Sequence, residues 1–118
     1  MILADTSVWI DHLRLGNKRL QTLLEAGEIC CHPFVLGEVA CGNLKNRSEI
    51  LTLLGVLPGS VVAEHNEVLA FIERHNLSGS GLGWIDVHLL ASAKLTKCSL
   101  WTMDRALGRA ARNLGISA

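Results

Sequence analysis

The stretch Ile2-Leu3-Ala4-Asp5-Thr6-Ser7 decides the fold, because a short apolar run passes directly into an acid and two hydroxyl residues. A short run that is apolar throughout predicts a strand buried on both faces. Three further runs of this kind follow, separated by segments in which apolar residues recur at helical spacing. The predicted strands cover residues 2–4, 28–32, 60–63 and 99–102.

Helical patterns occupy the intervals between these strands. Thr6 or Ser7 is placed to cap the first helix and Asn17 the second, and Pro33 suits the first turn of the third. Strands that alternate with helices predict an α/β protein whose parallel sheet is covered on both faces. With no linker or internal repeat, residues 1–118 are expected to form one domain. The later predicted helices cover residues 48–57, 64–76 and 84–96, and a last one begins at residue 104.

The composition limits the kinds of function. Apolar residues make up 49% of the chain, which is rich for a small soluble monomer and indicates that a partner covers some apolar surface. The formal net charge is zero, so any contact with nucleic acid must come from local basic patches. Such patches occur, although each is equally consistent with a solvated helix face. They comprise Arg105, Arg109 and Arg112; Arg14, Lys18 and Arg19; and Lys45 and Arg47.

The cysteines and the chain ends give no sign of export. Four cysteines are present, and their spacing matches neither CxxC nor a zinc-ligand pattern. Neighbouring Cys30 and Cys31 point to opposite faces of a strand, so we expect reduced thiols. No signal-peptide pattern and no apolar run of about 20 residues is present. We therefore expect a cytoplasmic protein that does not enter the membrane.

Four acids are candidates for a functional site. Asp5 follows the first predicted strand and Asp104 follows the last, and ligands of open parallel sheets bind outside the carboxyl ends of the strands. Glu38 and Asp86 lie in apolar helical segments, where an ionised carboxylate is costly unless it is paired or binds a metal. Clustered carboxylates repel one another unless a cation lies among them, and all-oxygen ligation suits Mg²⁺ or Mn²⁺.

Each acid also has a simpler explanation. Asp5 and Asp104 could cap the helices that follow them. Asp86 lies near a helix start, where a negative charge is favourable, and Glu38 could be a solvated helix residue. The residues alone leave both interpretations open.

Four segments carry a resemblance. They are MILADTSVWI (residues 1–10), Gly37-Glu38-Val39, GWIDVHLLASA (residues 83–93) and LWTMDRAL (residues 100–107). In order and spacing they resemble the acidic motifs of PIN-domain ribonucleases, in particular the VapC toxins of bacterial toxin–antitoxin pairs. The resemblance covers the whole chain.

The resemblance implies a PIN-like three-layer α/β/α fold with a parallel sheet of four or five strands. It implies an endoribonuclease whose Mg²⁺ or Mn²⁺ is held by Asp5, Glu38, Asp86 and Asp104, with hydroxyl support from Thr6 and Thr102. It further implies an RNA substrate, a homodimer and inhibition by a small cognate antitoxin. The candidate antitoxin surface covers residues 9–24 and 42–57, and the candidates for RNA contact are Arg14, Arg105 and Arg109.

Other classes fit the residues less well. An adhesion module of the von Willebrand type needs a ligating side chain where Trp9 stands. A haloacid-dehalogenase-like phosphatase needs a second aspartate at the position of Ser7, and a receiver domain needs paired acids that the chain lacks. A PIN-like scaffold that binds RNA without cleaving it stays as the alternative, although such a scaffold does not require four acids.

Overall fold

β1, Ile2–Ala4, is the central strand of a parallel sheet in the computed structural model, which describes residues 1–118. It pairs with β2, Ile29–Cys30, on one side and with β3, Ser99–Trp101, on the other. Leu3 lies opposite Cys30 and Leu100 in the two registers, and all three side chains are buried. The predicted parallel sheet with apolar strands is confirmed.

Seven helices connect and flank the strands. Asn17 caps the second helix by accepting a hydrogen bond from the Leu20 N–H at 2.9 Å, and Pro33 begins the third, as predicted. The helices are α1 (Thr6–Leu15), α2 (Lys18–Glu25), α3 (Pro33–Ala40), α4 (Arg47–Val56), α5 (His65–Arg74), α6 (Trp84–Thr96) and α7 (Arg105–Asn113). α1 packs on β1, α2 on β2 and α6 on β3, so the sheet is covered by helices from both halves of the chain.

The prediction of four or five strands is wrong, since the sheet has three. The predicted strand at residues 60–63 reduces to one parallel bridge between Gly59 and Cys31. Beyond it, the Val61 N–H donates to Thr96 Oγ1 at 2.9 Å and the Ala63 N–H to Ser92 Oγ at 3.4 Å. Hydroxyl groups of α6 therefore take the donors that a strand would need.

The opposite edge of the sheet carries a second bridge, which the sequence patterns did not predict. Ser117 pairs with Leu100 in parallel orientation, and the Ala118 N–H donates to the Leu100 carbonyl at 3.0 Å. Both edges of the sheet are therefore extended by single residues rather than by full strands.

One apolar core joins the sheet to its helices, and Trp9 and Val8 on α1 lie fully within it. All four cysteines are free, and three of them are buried, which confirms the expectation of reduced thiols. None of the helices is long and apolar enough to cross a membrane.

Candidate functional site

Asp5 stands where β1 ends and α1 begins, with an extended backbone at φ −79° and ψ 177°. Its side chain is only 6% exposed, and its Oδ1 accepts a hydrogen bond from the Val8 N–H at 3.3 Å. Asp5 is thus the helix cap, and the prediction that Thr6 or Ser7 caps α1 is wrong. The residue that caps the start of a helix has an extended backbone, and Asp5 already has one because it follows the strand directly.

Two hydroxyl groups hold the Asp5 carboxylate. Ser7 Oγ donates to Asp5 Oδ1 and Thr102 Oγ1 donates to Asp5 Oδ2, both at 2.5 Å. Ser7 Oγ also accepts from the Met103 N–H at 2.9 Å. Sequence reasoning named Thr102 but missed Ser7 as a site residue. Ser7 could have been found from its position, two residues after an acid that ends a strand.

Burial controls the protonation of Asp5. Loss of solvent raises the pKa of its carboxyl above the usual value, because the charged form is the more strongly hydrated one. Hydrogen bonds from Ser7, Thr102 and Val8 act in the opposite direction and lower the pKa, but they offset the effect of burial only in part. The acid is therefore a buried, hydrogen-bonded group with no positive partner.

Asp104 is linked to Asp5 through Thr102. The Asp104 N–H donates to Thr102 Oγ1 at 3.0 Å, while Asp104 Oδ2 accepts from the Leu107 N–H at 2.9 Å and caps α7. Its side chain is exposed. The carboxyl ends of β1 and β3 thus bring both predicted strand-end acids to one edge of the sheet, and both acids also serve as helix caps.

Glu38 reaches this edge from α3. Its Oε1 accepts a hydrogen bond from Thr6 Oγ1 at 2.9 Å, and Thr6 is the residue next to Asp5. The Glu38 side chain is exposed, so its carboxylate is solvated although the helix around it is largely apolar. α3 turns its Val35 and Val39 face to the core, which leaves Glu38 at the surface beside the start of α1.

Asp86 belongs to the first turn of α6, where its Oδ2 accepts from the Gly83 N–H at 3.0 Å. It is half-buried, and no hydrogen bond joins it to the other three acids. The loop that leads into α6 nevertheless passes near the first turn of α7. A methyl group in place of the Gly81 hydrogen would lie 3.9 Å from Ala106 Cβ, two residues from Asp104.

None of the four acids forms an ion pair with a lysine, an arginine or a histidine. The one ion pair of the chain joins the amino terminus to Glu28 at 3.5 Å, away from the four acids. Glu38, Asp86 and Asp104 each have one carboxylate oxygen that accepts no hydrogen bond. These free oxygens fit the donors that a hard divalent cation prefers. No three His, Cys, Asp or Glu side chains stand together as a ready ligand set.

The candidate RNA-contacting arginines fall into two groups. Arg105 and Arg109 are exposed on α7, the helix that Asp104 caps, and neither pairs with an acid. Arg14 lies on α1 and lines a groove of about 420 Å³ whose walls include none of the four acids. Arg105 and Arg109 thus lie on the helix that begins next to Asp104, whereas Arg14 belongs to a different surface feature.

The fold is that of an α/β protein with a parallel sheet, seven helices and acids at the strand ends. Comparison with known families identifies the class to which it belongs. The PIN domain model matches residues 2–113, and the chain belongs to the PIN-domain family. The crystal structure of PAE2754 from Pyrobaculum aerophilum has the same fold, with a TM-score of 0.63 over 92% of this chain and 78% of that chain. At 17% identity, this likeness concerns the fold alone.

A much closer similarity exists within the family. The chain is 45% identical to Ribonuclease VapC32 of Mycobacterium tuberculosis, in the strains CDC 1551 / Oshkosh and ATCC 25618 / H37Rv. The alignment covers 99% of this chain and 95% of each relative. The resemblance to VapC-type PIN domains that the four sequence motifs indicated is confirmed.

Proposed function

We propose that this chain is an endoribonuclease that depends on Mg²⁺ or Mn²⁺ and acts as the toxin of a toxin–antitoxin pair. The observation that carries the proposal is the pair of strand-end acids, Asp5 and Asp104, which Thr102 links and which have no cationic partner. The relative at 45% identity is named a ribonuclease VapC, which supports the same activity. On this proposal, residues 1–118 act as one nuclease domain.

The cation would be held by carboxylate oxygens of Asp5, Glu38, Asp86 and Asp104. When bound, Mg²⁺ or Mn²⁺ lowers the pKa of a coordinated water and offsets charge on the attacked phosphate. Asp5 is the fixed member of the set, because hydroxyl groups hold both of its oxygens. The other three side chains are exposed or half-buried, so each has room to turn its free oxygen toward a cation.

Two hydroxyl groups favour the ionised form of Asp5. Ser7 and Thr102 both donate to its carboxylate, and these hydrogen bonds lower the pKa of Asp5. A proton and a cation compete for Asp5, whose pKa burial raises. The rate of the proposed cleavage should therefore decrease as the pH is lowered below neutrality.

The experiment that tests the proposal is cleavage of total cellular RNA by the purified protein. Discrete fragments should form with Mg²⁺ or Mn²⁺ and disappear with a chelator. Asp5→Asn should abolish them, because it removes the charge while keeping the size of the side chain. Glu73→Gln is the matched control, since Glu73 is an exposed acid on α5 whose side chain forms no hydrogen bond or ion pair.

Two outcomes would contradict the mechanism. Cleavage that Ca²⁺ supports as well as Mg²⁺ would argue against activation of water by the metal. RNA binding without cleavage by folded, antitoxin-free protein would favour the non-cleaving scaffold.

The groove between α1 and the segment after α3 is our candidate site for the antitoxin. It has a volume of about 420 Å³ and apolar walls that include Ile10, Leu13 and Leu44, and Arg14 and Lys45 add positive charge. Because the groove combines apolar and basic groups, it suits an antitoxin segment with apolar and acidic side chains. This assignment gives Arg14 a role in partner binding rather than in RNA contact.

Ile10→Asp tests the groove, because Ile10 is 38% exposed and the new charge would meet an acidic partner. We expect this variant to cleave RNA normally but to escape inhibition by the antitoxin. Leu15→Asp is the control, since Leu15 is exposed on the same helix but does not line the groove. The proposed homodimer is tested separately by sedimentation of the purified chain.

A further inference from the structure

Five aromatic rings form a continuous series of contacts across three helices. The ring of Trp84 on α6 lies 5.0 Å from His65 on α5 and 4.8 Å from His88, one turn further along α6, measured between ring centroids. His88 in turn lies 4.8 Å from Phe34 on α3, and Phe34 lies 5.0 Å from His32. His32 and His88 are buried, whereas His65 and Trp84 lie at the surface.

Trp84 is the tryptophan with an open ring surface. Trp9 is 1% exposed in the core, and the guanidinium of Arg19 covers the Trp101 ring at 4.4 Å from its centroid. Trp84 is 38% exposed, although His65 and His88 both pack against it. The ring is therefore held in place by neighbours while part of its surface faces solvent.

The position of Trp84 associates it with the proposed cleavage site. Trp84 and Asp86 both belong to the first turn of α6, where they lie two residues and therefore about 200° apart around the helix. The ring series also passes through Phe34, which lies four residues, or about one helical turn, before Glu38 on α3. The helices α3 and α6, which carry Glu38 and Asp86, thus also carry members of this series of aromatic rings.

The charge of the chain makes a stacking contact valuable. With a formal net charge of zero, the chain lacks the general attraction for phosphate that strengthens many nucleic-acid complexes. A base stacked on an aromatic ring adds affinity for single-stranded RNA with little dependence on sequence.

We propose that Trp84 is a platform on which an unpaired base of single-stranded RNA stacks, at the helical turn that also carries Asp86. This inference rests on the proposed function and adds a residue that positions the substrate. His65 and His88 hold the ring from its sides, and its exposed surface receives the base.

The test compares Trp84→Leu, which removes the aromatic surface, with Trp84→Phe, which keeps one. Binding of a fluorescent single-stranded oligonucleotide is measured in chelator, and cleavage of the same RNA is measured with Mg²⁺. We expect Trp84→Leu to raise Kd and KM by about 5- to 100-fold, with kcat nearly unchanged, and Trp84→Phe to stay close to the wild type.

A second measurement uses the wild-type protein and the conservative variant Trp84→Phe. Addition of RNA in chelator should quench tryptophan emission of the wild-type protein, and the quenching should be largely lost in Trp84→Phe. RNA binding with quenching but without cleavage in Mg²⁺ would support the platform while refuting the nuclease proposal.

Other results would overturn the platform. Unchanged Kd and KM in a folded Trp84→Leu variant would exclude stacking on Trp84. A shift in oligomeric state without a change in RNA affinity would instead assign the exposed ring to a contact between protein chains.

Discussion

Thr102 Oγ1 lies 2.5 Å from Asp5 Oδ2, although 97 positions separate the two residues in the sequence. The contact forms because β1 and β3 are parallel neighbours whose carboxyl ends meet at one edge of the sheet. The same hydroxyl oxygen accepts from the Asp104 N–H. One threonine therefore fixes the relative position of two acids.

Thr102→Val removes this hydroxyl group while keeping the shape of the side chain. Because the hydrogen bond from Thr102 lowers the pKa of Asp5, its loss raises that pKa further. We expect the acid limb of the cleavage rate to move to higher pH. The rate should fall by about 10- to 100-fold, in line with the loss of a hydrogen bond to a charged group. Rates measured across the acid and neutral range test this.

Thr102→Ser is the matched control, because it keeps the hydroxyl group and loses one methyl. It should keep both the rate and the position of the acid limb near those of the wild type. An unshifted acid limb in Thr102→Val would show that the hydroxyl does not control the protonation of Asp5.

Asp5→Asn should abolish cleavage without lowering the stability of the folded protein. Asparagine caps a helix as well as aspartate does, and the substitution removes a buried charge. The pKa of Asp5 is higher in the folded protein than the value of 3.8 that applies to the unfolded chain. The carboxyl group therefore stabilises the folded state below pH 3.8, and this contribution is lost as the pH rises through the pKa of the folded protein. In chelator at neutral pH, Asp5→Asn should therefore match or exceed the wild type in its free energy of unfolding.

Urea unfolding at several pH values measures this difference, which should shrink as the pH approaches 3.8. Asp104→Asn is the control, since Asp104 is exposed and should change stability little at any pH. Added Mg²⁺ should stabilise the wild type and leave Asp5→Asn unchanged. A clear loss of stability in Asp5→Asn at neutral pH would contradict the prediction.

His32 should make the protein sensitive to acid. Its Nδ1 accepts from the Phe34 N–H at 2.9 Å and its Nε2 lies 3.1 Å from Ser92 Oγ, which requires a neutral ring. Burial, assisted by the nearby His88, lowers its pKa from 6.5 to about 4. Between these values the unfolded chain binds more protons, so stability falls as the pH is lowered, by up to about 3 kcal/mol.

His32→Asn is the informative variant, because its side-chain oxygen can still accept from the Phe34 N–H and does not titrate. The free energy of unfolding of His32→Asn should change less between pH 6.5 and about 4 than that of the wild type. Parallel curves for the two proteins would show that His32 is not the acid-sensitive group.

Asp5 and Asp104 could be named as neighbours from the sequence because their signals are local, whereas Glu38 and Asp86 joined them through the resemblance to a family. An apolar run followed by an acid places that acid at the end of a buried strand, and parallel strands bring such ends together. The hydrogen bonds between them follow from this topology. Their dual use as helix caps could also be foreseen, since the same residues begin helices.

What the sequence did not predict depends on contacts between distant segments. The run at residues 60–63 looks like a strand, but Ser92 and Thr96 on α6 bind its N–H groups. The surface position of Glu38 depends on which face of α3 meets the core, and an almost wholly apolar helix does not reveal that face. Ser7 resembles a helix cap until Thr102 and Met103 are placed beside it.

Arg105 and Arg109 should contribute to RNA affinity through phosphate contacts. Both are exposed on the helix that Asp104 caps, and neither has an acidic partner. Arg105→Gln and Arg109→Gln should each weaken binding of single-stranded RNA. Each should also lower the slope of log affinity against log salt by about 0.7, the value for one phosphate contact.

Arg47→Gln is the control for this experiment, because Arg47 donates to the carbonyls of Ala40 and Gly42 and is not free to bind phosphate. Its salt slope should equal that of the wild type. Equal slopes for all three variants would remove Arg105 and Arg109 from the RNA-binding surface.

Gly37→Ala should stabilise the protein without loss of cleavage, even though Gly37 precedes Glu38 in the second acidic motif. Gly37 lies inside α3, its φ is not positive, and a methyl group there would meet no atom within 4 Å. Alanine in a helix interior is favoured over glycine by about 0.5–1 kcal/mol. Gly16 is the opposite case, since it ends α1 at φ 76°, a conformation that strains any residue with a Cβ. Thermal unfolding should therefore show a raised Tm for Gly37→Ala and a lowered Tm for Gly16→Ala. If Gly37→Ala instead lost activity while gaining stability, the glycine would be needed for close approach of RNA to Glu38.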